Sequence, residues 1–245
     1  MSLPKVTVLI PNYNDAEYIG KAIESALNQD YPGYITICVV DDGSTDNSWD
    51  IISSYFGENV GEFGYTKVIG IKNKNSGPSG ARNVGIEQTI DDTDIYAMLD
   101  SDDEMYPNKI SNCVGAFTDS SIGVVYGDYD VFHTATNKII REFKEPYSRK
   151  RLVNECIVHS GSVVSSEALK DALEDTGYYD KTMRTCEDYD LWMRISEKYV
   201  IKHIPKSLTL VRVTGDNSSF IINQEVWSKN WMRVMQKRES RLNGQ

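Results

Sequence analysis

The sequence predicts an α/β fold in which a doubly wound, mainly parallel sheet is flanked by helices and followed by a mixed second half. Over the first 120 residues, short apolar runs rich in β-branched residues alternate with segments of helical periodicity. Repeated strand and helix units of this kind build a parallel sheet with right-handed crossovers. A chain of 245 residues that is 40% hydrophobic also buries enough surface to fold without disulfides.

Each element of the first half follows from its own pattern. The predicted strands cover residues 6–10, 34–40, 65–71 and 95–99, which are apolar runs bounded by polar residues. Helices are predicted from residue 15, with Asn14 or Asp15 as the N-cap, and over residues 48–56 and 81–90. Sheets of this type bind ligands beyond the carboxyl ends of their strands, so the polar residues after each run are the functional candidates.

The pattern becomes less regular after about residue 120. Strand-like runs cover residues 123–126, 129–133, 138–143, 162–165 and 208–213, and helices lie between them. No linker or internal repeat interrupts the chain. We therefore predict one domain over residues 1–220, with a regular half (1–120) and a mixed half (121–220), followed by a C-terminal helix over residues 221–245.

The predicted C-terminal helix is amphipathic and basic. Trp227 and Trp231 share one face with Val234 and Met235, and the helix carries five cations: Lys229, Arg233, Lys237, Arg238 and Arg241. A helix of this kind can lie on an anionic membrane. The interpretation that we favour is that Trp227 and Trp231 pack against the domain.

The charge balance restricts the partners. The chain has 26 Lys and Arg against 36 Asp and Glu, a net charge of −10, which is the wrong sign for a protein that binds duplex nucleic acid. The sequence contains no secretion signal and no apolar run near the ~20 residues that a membrane span needs. We expect a cytoplasmic protein, with peripheral contact at the inner face of a membrane as the alternative.

Three carboxylates follow the fourth predicted strand: Asp100, Asp102 and Asp103. Like charges this close need a compensating cation, which a hard divalent metal provides. The residues equally fit a solvated turn before the next helix, so both interpretations stay open. An EF-hand is excluded because its sixth loop position is not Gly and its twelfth, Ser111, is not Glu. A dehalogenase-type phosphatase is disfavoured because Glu104 stands in the segment where such enzymes carry Gly-Thr.

Two further segments follow strands. Turn and capping chemistry explains residues 46–48 but not Asp41, whose carboxylate suits the imide N–H of a uracil ring, a group that cytosine lacks. The Gly-rich loop at residues 75–83 enters a helix whose free N–H groups suit a phosphate. The loop matches neither the P-loop nor the dinucleotide-binding fingerprint, which disfavours ATP and nicotinamide ligands.

Three acids begin the helix predicted near Thr185: Glu187, Asp188 and Asp190. The helix macrodipole alone explains Glu187 and Asp190. A carboxylate at a helix N-terminus beside a ligand cleft is also a position where a general base can stay ionised. The same segment predicts a buried stripe of Leu191, Ile195 and Trp192.

Five segments taken together resemble the family 2 glycosyltransferases of the GT-A fold, over residues 4 to about 215. The segments are residues 8–14 (Val-Leu-Ile-Pro-Asn-Tyr-Asn), 40–46 (Val-Asp-Asp-Gly-Ser-Thr-Asp), 75–85 (Asn-x-Gly-x-x-x-Ala-Arg-Asn-x-Gly), 99–103 (Leu-Asp-Ser-Asp-Asp) and 187–194 (Glu-Asp-Tyr-Asp-Leu-Trp-x-Arg). Five motifs in the right order are far more specific than any one of them.

The resemblance implies inverting transfer of a sugar from a nucleoside diphosphate donor, most often a UDP-sugar, to an acceptor hydroxyl, with Mn2+ or Mg2+. It makes residues 1–120 the nucleotide-binding half and residues 121–220 the acceptor-side half. It implies a general base at Asp188 with Glu187 beside it, and a metal at Asp102. The donor contacts that it implies are Pro11, Tyr13 and Asp41 for the base, Asp100 for the ribose, and Arg82 for the diphosphate or another part of the donor. Three further residues of these motifs are donor-binding candidates: Asn75, Gly77 and Ser101.

Two departures from the family pattern stand out. Thr214 occupies the position where many members carry a His that contacts the metal or diphosphate, and Arg212 nearby is a candidate to compensate. The Gln-x-x-Arg-Trp signature of processive synthases is absent, which favours single addition.

The residues present disfavour two other functions. A sugar-1-phosphate nucleotidyltransferase needs a basic Gly-rich loop after the first strand, and residues 11–15 contain no cation. A catalytically silent nucleotide-sugar or glycan-binding module is disfavoured by the intact acids at Asp102 and Asp188.

Overall fold

The computed structural model describes residues 2–60, 63–214 and 224–243. Within these ranges the strands are β1 (Val6–Asn12), β2 (Tyr34–Asp41), β3 (Gly57–Val60), β4 (Tyr65–Lys72), β5 (Ile95–Met98), β6 (Glu104–Met105), β7 (Ile122–His133), β8 (Lys138–Glu142), β9 (Val163–Ser165) and β10 (Val200–Val213). The helices are α1 (Ile19–Leu27), α2 (Ser48–Ser54), α3 (Gly77–Thr89), α4 (Lys109–Ala116), α5 (Arg149–Leu152), α6 (Ser166–Asp171), α7 (Glu187–Ser196) and α8 (Gln224–Asn243), with a short 3-10 helix at Ile90–Asp92.

The first half forms the predicted parallel sheet. Strands β4, β2, β1 and β5 are neighbours in that order, and every pairing among them is parallel. The register places Asn12 opposite Asp41 and Asp41 opposite Lys72, so these strands end level with one another. The doubly wound α/β architecture is confirmed, and its carboxyl edge carries the polar loops.

The second half continues the same sheet with mixed strand directions. β9 runs antiparallel to both β5 and β7, β7 runs parallel to β10, and β6 and β8 pair antiparallel with β10 and β7. β7 is one continuous strand where the sequence predicts two. Gly127 allows the continuity, because a Cβ there would lie 2.7 Å from Leu208 Cδ1 and 2.9 Å from the Lys206 carbonyl.

Two further expectations of the first half differ from the structure. The edge strand β3, antiparallel to β4, was not predicted. Helix α1 begins at Ile19 rather than residue 15, and neither Asn14 nor Asp15 caps it. The Asn14 side chain accepts from the Thr45 N–H (2.7 Å), and the Asp15 carboxylate accepts from Ser101, so both side chains are held by other loops.

The sheet separates two apolar clusters. Successive side chains of β1 enter opposite clusters: Leu9 joins Val40 and Trp192, whereas Val8 and Ile10 pack on the other face. The predicted stripe of α7 is confirmed, since Leu191, Trp192 and Ile195 are buried.

Helix α8 packs on the domain through part of its apolar face. Val234 is buried and Trp231 packs against the core, but Trp227 is 47% exposed, so the expectation for Trp227 was wrong. Three of the five cations pair with the domain: Arg233 with Asp180, Lys237 with Glu174, Asp180 and Asp190, and Arg241 with Glu174 and Glu197. None of the helices in the described ranges is both long and apolar enough to cross a membrane.

Helix α3 approaches the sheet closely at Gly85, and this contact gives a stability prediction. A Cβ at position 85 would overlap Leu9 Cδ1 and lie 3.1 Å from Val40 Cγ2. We expect Gly85→Ala to lower the free energy of unfolding by about 1–2 kcal/mol, because overpacking outweighs the gain in helix propensity. Urea denaturation measures the change.

Gly115→Ala is the matched control. Gly115 lies in α4 with no atom within 4 Å of the position of its Cβ. The same substitution should therefore raise the free energy of unfolding by about 0.5–1 kcal/mol. Equal stabilisation at both positions would contradict the close approach of α3 to β1 and β2.

Candidate active site

The loops after β1 and β2 are fastened to each other by side-chain hydrogen bonds. Asn12 Nδ2 donates to Asp41 Oδ1 (3.0 Å), the Asn14 N–H donates to Ser44 Oγ (3.0 Å), and the Ala16 N–H donates to Asp46 Oδ2 (3.0 Å). These bonds fix the carboxyl edge of the first half. The turn chemistry that the sequence predicts for residues 46–48 is present, since Asp46 Oδ1 accepts from the Ser48 N–H at 3.0 Å.

The three residues expected to hold a base lie on this fixed edge. Asp41 is buried, with Oδ1 accepting from Asn12 and from Ser44 Oγ. Pro11 is buried in β1, and the Tyr13 side chain is 48% exposed in the following loop. The buried Asp41 lies opposite Asn12 in the sheet, and the next residue, Tyr13, carries a ring that is open to solvent.

The start of α3 is already occupied by a carboxylate. Asp42 accepts from the Ser76 N–H (3.0 Å), the Gly77 N–H (2.8 Å) and Asn73 Nδ2 (2.7 Å). This capping explains why α3 begins at Gly77, whose φ of 77° is left-handed, rather than at residue 81 as predicted. The sequence predicts that Gly77 binds a phosphate, but in the structure the Gly77 N–H already donates to Asp42. Asn75 is exposed beside it.

Arg82 joins the two halves of the site. Its Nη2 lies 2.6 Å from Asp100 Oδ1, after β5, and its Nη1 lies 3.2 Å from Glu187 Oε1, at the start of α7. The guanidinium also lies 5.3 Å from the Tyr179 ring. Arg82 is buried, and two of its nitrogens pair with protein carboxylates. Its expected contact with a diphosphate stays a prediction.

Asp100 is ionised more readily than an ordinary aspartate. Burial disfavours its charge, but the adjacent Arg82 guanidinium outweighs burial and lowers the pKa of Asp100. Ser160 Oγ donates to its second oxygen at 3.2 Å. Burial, reinforced by the charge of Lys109, lowers the pKa of His159 to about 3, so the imidazole is neutral.

Sequence reasoning missed His159 and Ser160 because it considered only residues that follow strands. β9 runs antiparallel to β5, so the residues that precede β9 lie at the carboxyl edge. The signal available in the sequence was the His-Ser-Gly turn directly before an apolar run.

Arg212 holds the acidic loop after β5. Its backbone N–H donates to Asp103 Oδ1 (2.8 Å), its Nε donates to the Asp102 carbonyl (3.0 Å), and its guanidinium pairs with Glu104. Burial raises the pKa of Asp103 well above its usual value, and the charges of Asp100 and Asp102 add to the effect. The sequence predicts that like charges this close repel one another, and in the structure this repulsion contributes to the raised pKa of Asp103. Ser101 is buried and donates to Asp15.

The metal expected at Asp102 stays a prediction. Asp102 is partly exposed, and no group of three or more His, Cys, Asp or Glu is arranged as a metal cage within the residues that the structure describes. Mg2+ and similar ions are commonly bound by one or two carboxylates together with substrate phosphates. Asp102 is the residue that suits this role.

Asp188 lies at the start of α7, two residues after Cys186, which adopts a left-handed φ of 63°. Burial raises the pKa of Asp188 to about 7, and the charge of Glu187 contributes. The sequence favoured a base kept ionised by the helix N-terminus. In the structure, burial and the neighbouring charge raise this pKa, and the role of Asp188 as general base stays a prediction.

A family model described as "Glycosyl transferase family 2" matches residues 7–176. The chain belongs to this glycosyltransferase family. Chondroitin synthase of Escherichia coli is 29% identical over 243 residues, which cover 98% of this chain and 33% of that protein. Hyaluronan synthase of Pasteurella multocida is 28% identical over 219 residues, which cover 89% of this chain and 21% of that protein. The glycosyltransferase thus spans a third or less of these curated relatives.

Solved structures identify the fold as GT-A. The crystal structure of TarS from S. aureus in complex with UDP-GlcNAc has a TM-score of 0.72 at 22% identity, covering 96% of this chain and 65% of that one. The mannosyltransferase PcManGT from Pyrobaculum calidifontis, in complex with GDP-Man and Mn2+, has a TM-score of 0.63 at 17% identity, covering 89% and 59%.

The pKa of Asp188 gives a direct test of the site. We expect its carboxyl to titrate at about 7, and we expect Glu187→Gln to lower that pKa, because removing a neighbouring negative charge favours ionisation. Carbon-13 NMR of aspartate carboxyls, assigned with Asp188→Asn, measures both values. Glu167→Gln on α6 should leave the titration unchanged. A pKa near 4 for Asp188 would contradict the burial of this group.

Proposed function

We propose that this family 2 glycosyltransferase moves a sugar from a UDP-sugar to an acceptor hydroxyl with inversion, one sugar per binding event, with a divalent metal and Asp188 as the general base. The observation that carries the proposal is the Arg82 bridge. Through Asp100 and Glu187 it links the strand-end acids of the nucleotide half to the start of α7, which bears a carboxyl with a pKa of about 7.

The nucleotide half supports a uridine donor. The Asp41 carboxylate is buried on the fixed carboxyl edge and suits the imide N–H of uracil, and the exposed Tyr13 ring suits stacking on the base. Asp100, ionised beside Arg82, suits the ribose hydroxyls. TarS, which was solved with UDP-GlcNAc, supports the same donor class through its shared fold.

Mn2+ or Mg2+ held by Asp102 would neutralise the charge that develops on the departing diphosphate. The chain's own residues prepare that position. Arg212 fixes the loop through the Asp102 carbonyl and the Asp103 carboxylate, and Ser101 fastens it to Asp15. The loop that carries Asp102 is thus held by Arg212 and by Asp15.

Asp188 would take the proton of the acceptor hydroxyl as its oxygen attacks the anomeric carbon. A base with a pKa near the working pH combines a useful fraction of the ionised form with good proton affinity. Glu187 keeps this pKa raised while its own carboxylate is paired with Arg82. One direct displacement inverts the stereocentre.

Removing the base should stop transfer and leave donor binding intact. We expect Asp188→Asn to lower kcat by about 10²- to 10⁴-fold with the dissociation constant for UDP unchanged within about twofold. UDP release from a UDP-sugar and calorimetric UDP titration measure the two quantities. Asp175→Asn, which changes an exposed carboxylate, is the control. Near-normal turnover in Asp188→Asn would move the base to Glu187 or end the assignment.

Removing the metal carboxylate should abolish metal-dependent donor binding. In a thermal-shift panel of UDP, GDP, dTDP and CDP sugars, we expect UDP-sugars with Mn2+ at about 100 times their dissociation constant to raise Tm by about 5–10 °C. Asp102→Asn should lose the part that depends on Mn2+, whereas the exposed Asp119→Asn should not. A shift that is equal for all four nucleotides would contradict base selection by Asp41.

A further inference from the structure

One segment of the mixed half carries a net positive charge, opposite in sign to that of the whole chain. Residues 138–151 carry six cations and two acids, in a chain whose net charge is −10. The segment covers β8, the turn after it and α5. A local positive region is required wherever an acidic protein binds an anionic ligand.

Four of these cations form no ion pair with a carboxylate among the residues that the structure describes. Arg141 pairs with Asp130 (3.0 Å), and Arg151 pairs with Glu145 and Glu155. The remaining four define what we term the basic strip: Lys138, Lys144, Arg149 and Lys150. Arg149 and Lys150 are exposed, and Lys144 is half-buried.

Lys144 is linked to Asp100 through two aromatic rings. Its Nζ is 5.0 Å from the centre of the Tyr129 ring, and that ring is 4.5 Å from the ring of His159. The next residue, Ser160, donates to Asp100 at 3.2 Å. Successive contacts therefore link Lys144, the tilted rings of Tyr129 and His159, and Asp100.

The other end of the strip contacts the helix that bears the base. The Leu152 carbonyl of α5 accepts from the Tyr189 hydroxyl of α7 at 2.6 Å, and Tyr189 follows Asp188. Burial raises the pKa of the Cys156 thiol, and the charge of Asp188 adds to this effect while the charge of Lys144 opposes it.

We propose that the basic strip is an acceptor subsite for an anionic glycan, whose carboxylate or phosphate groups bind Lys144, Arg149 and Lys150 while a hydroxyl reaches Asp188. The proposal rests on the proposed function, since it names the acceptor class of that site. The Tyr129 and His159 rings offer a face for a sugar ring. The strip lies in β8, the turn after it and the start of α5, whereas the expected donor residues lie in β1, β2 and α3 and in the loops after β1, β4 and β5.

The test compares one glycan backbone in three charge states. Fluorescently labelled maltoheptaose, its uronate form oxidised at C6 and its phosphorylated form are titrated by anisotropy at low salt, with and without UDP and Mn2+. We expect at least one anionic form to bind about tenfold tighter than the neutral form, with the advantage lost at high salt. The two anionic forms distinguish carboxylate from phosphate recognition.

Variants assign the binding to the strip. We expect Lys144→Gln to weaken anionic binding about fivefold and Lys144→Gln/Arg149→Gln/Lys150→Gln to remove the advantage over neutral glycan. Lys170→Gln on α6, an equal loss of charge on another element, should change it less than twofold. Calorimetric UDP affinity should be unchanged in all of these variants.

Three outcomes would overturn the proposal. They are equal binding of charged and neutral glycans, loss of UDP affinity in Lys144→Gln, and binding of single-stranded RNA or anionic vesicles as tight as that of the glycans with the same variants affected. Failure of the proposed function is separate, because it appears as the absence of UDP binding to the unaltered chain, whichever glycan binds.

Discussion

The ion pairs of Arg82 are the constraint on which the site depends. This one buried guanidinium, on α3, contacts a carboxylate after β5 and another at the start of α7, elements that are about 90 residues apart in the chain. A buried charge is tolerated only where partners compensate it. The parallel sheet supplies Asp100, the mixed half supplies Glu187, and neither half alone satisfies Arg82.

The same contacts separate the properties of two aspartates. Asp100 lies against Arg82 and its pKa is lowered, whereas Asp188 is half-buried, and desolvation together with the charge of Glu187 raises its pKa to about 7. Pairs of acids whose surroundings shift their pKa values apart mark sites of acid and base chemistry. Here the surroundings lower the pKa of one carboxyl group and raise that of the other.

The sequence predicted the parallel half well because its strands are continuous apolar runs, each followed by its polar loop. It predicted less of what depends on contacts distant in the chain. That Asp42 caps α3, that His159 and Ser160 reach the carboxyl edge, and that β7 continues through Gly127 all follow from strand direction and packing. The His-Ser-Gly turn before an apolar run was a local signal for His159 and Ser160, but strand direction decides where that turn lies.

The basic helix is a similar case. Its cations suggested an anionic membrane, yet three of them turn inward to acids of the domain, and Lys237 alone contacts three carboxylates: Glu174, Asp180 and Asp190. Asp180 and Asp190 are fully buried and need such partners. Charge composition alone could not distinguish a helix whose cations bind a membrane surface from a helix whose cations pair with acids of its own domain.

The absent side chain at Gly85 has an evolutionary consequence. Gly85 lies one helical turn from Arg82 on α3, so it sets how deeply the helix that carries the guanidinium sits on Leu9 and Val40. A larger residue at position 85 is tolerated only in a lineage in which position 9 or 40 also carries a smaller side chain. Substitutions at these three apolar sites should therefore arise as linked exchanges, although none of them touches a substrate.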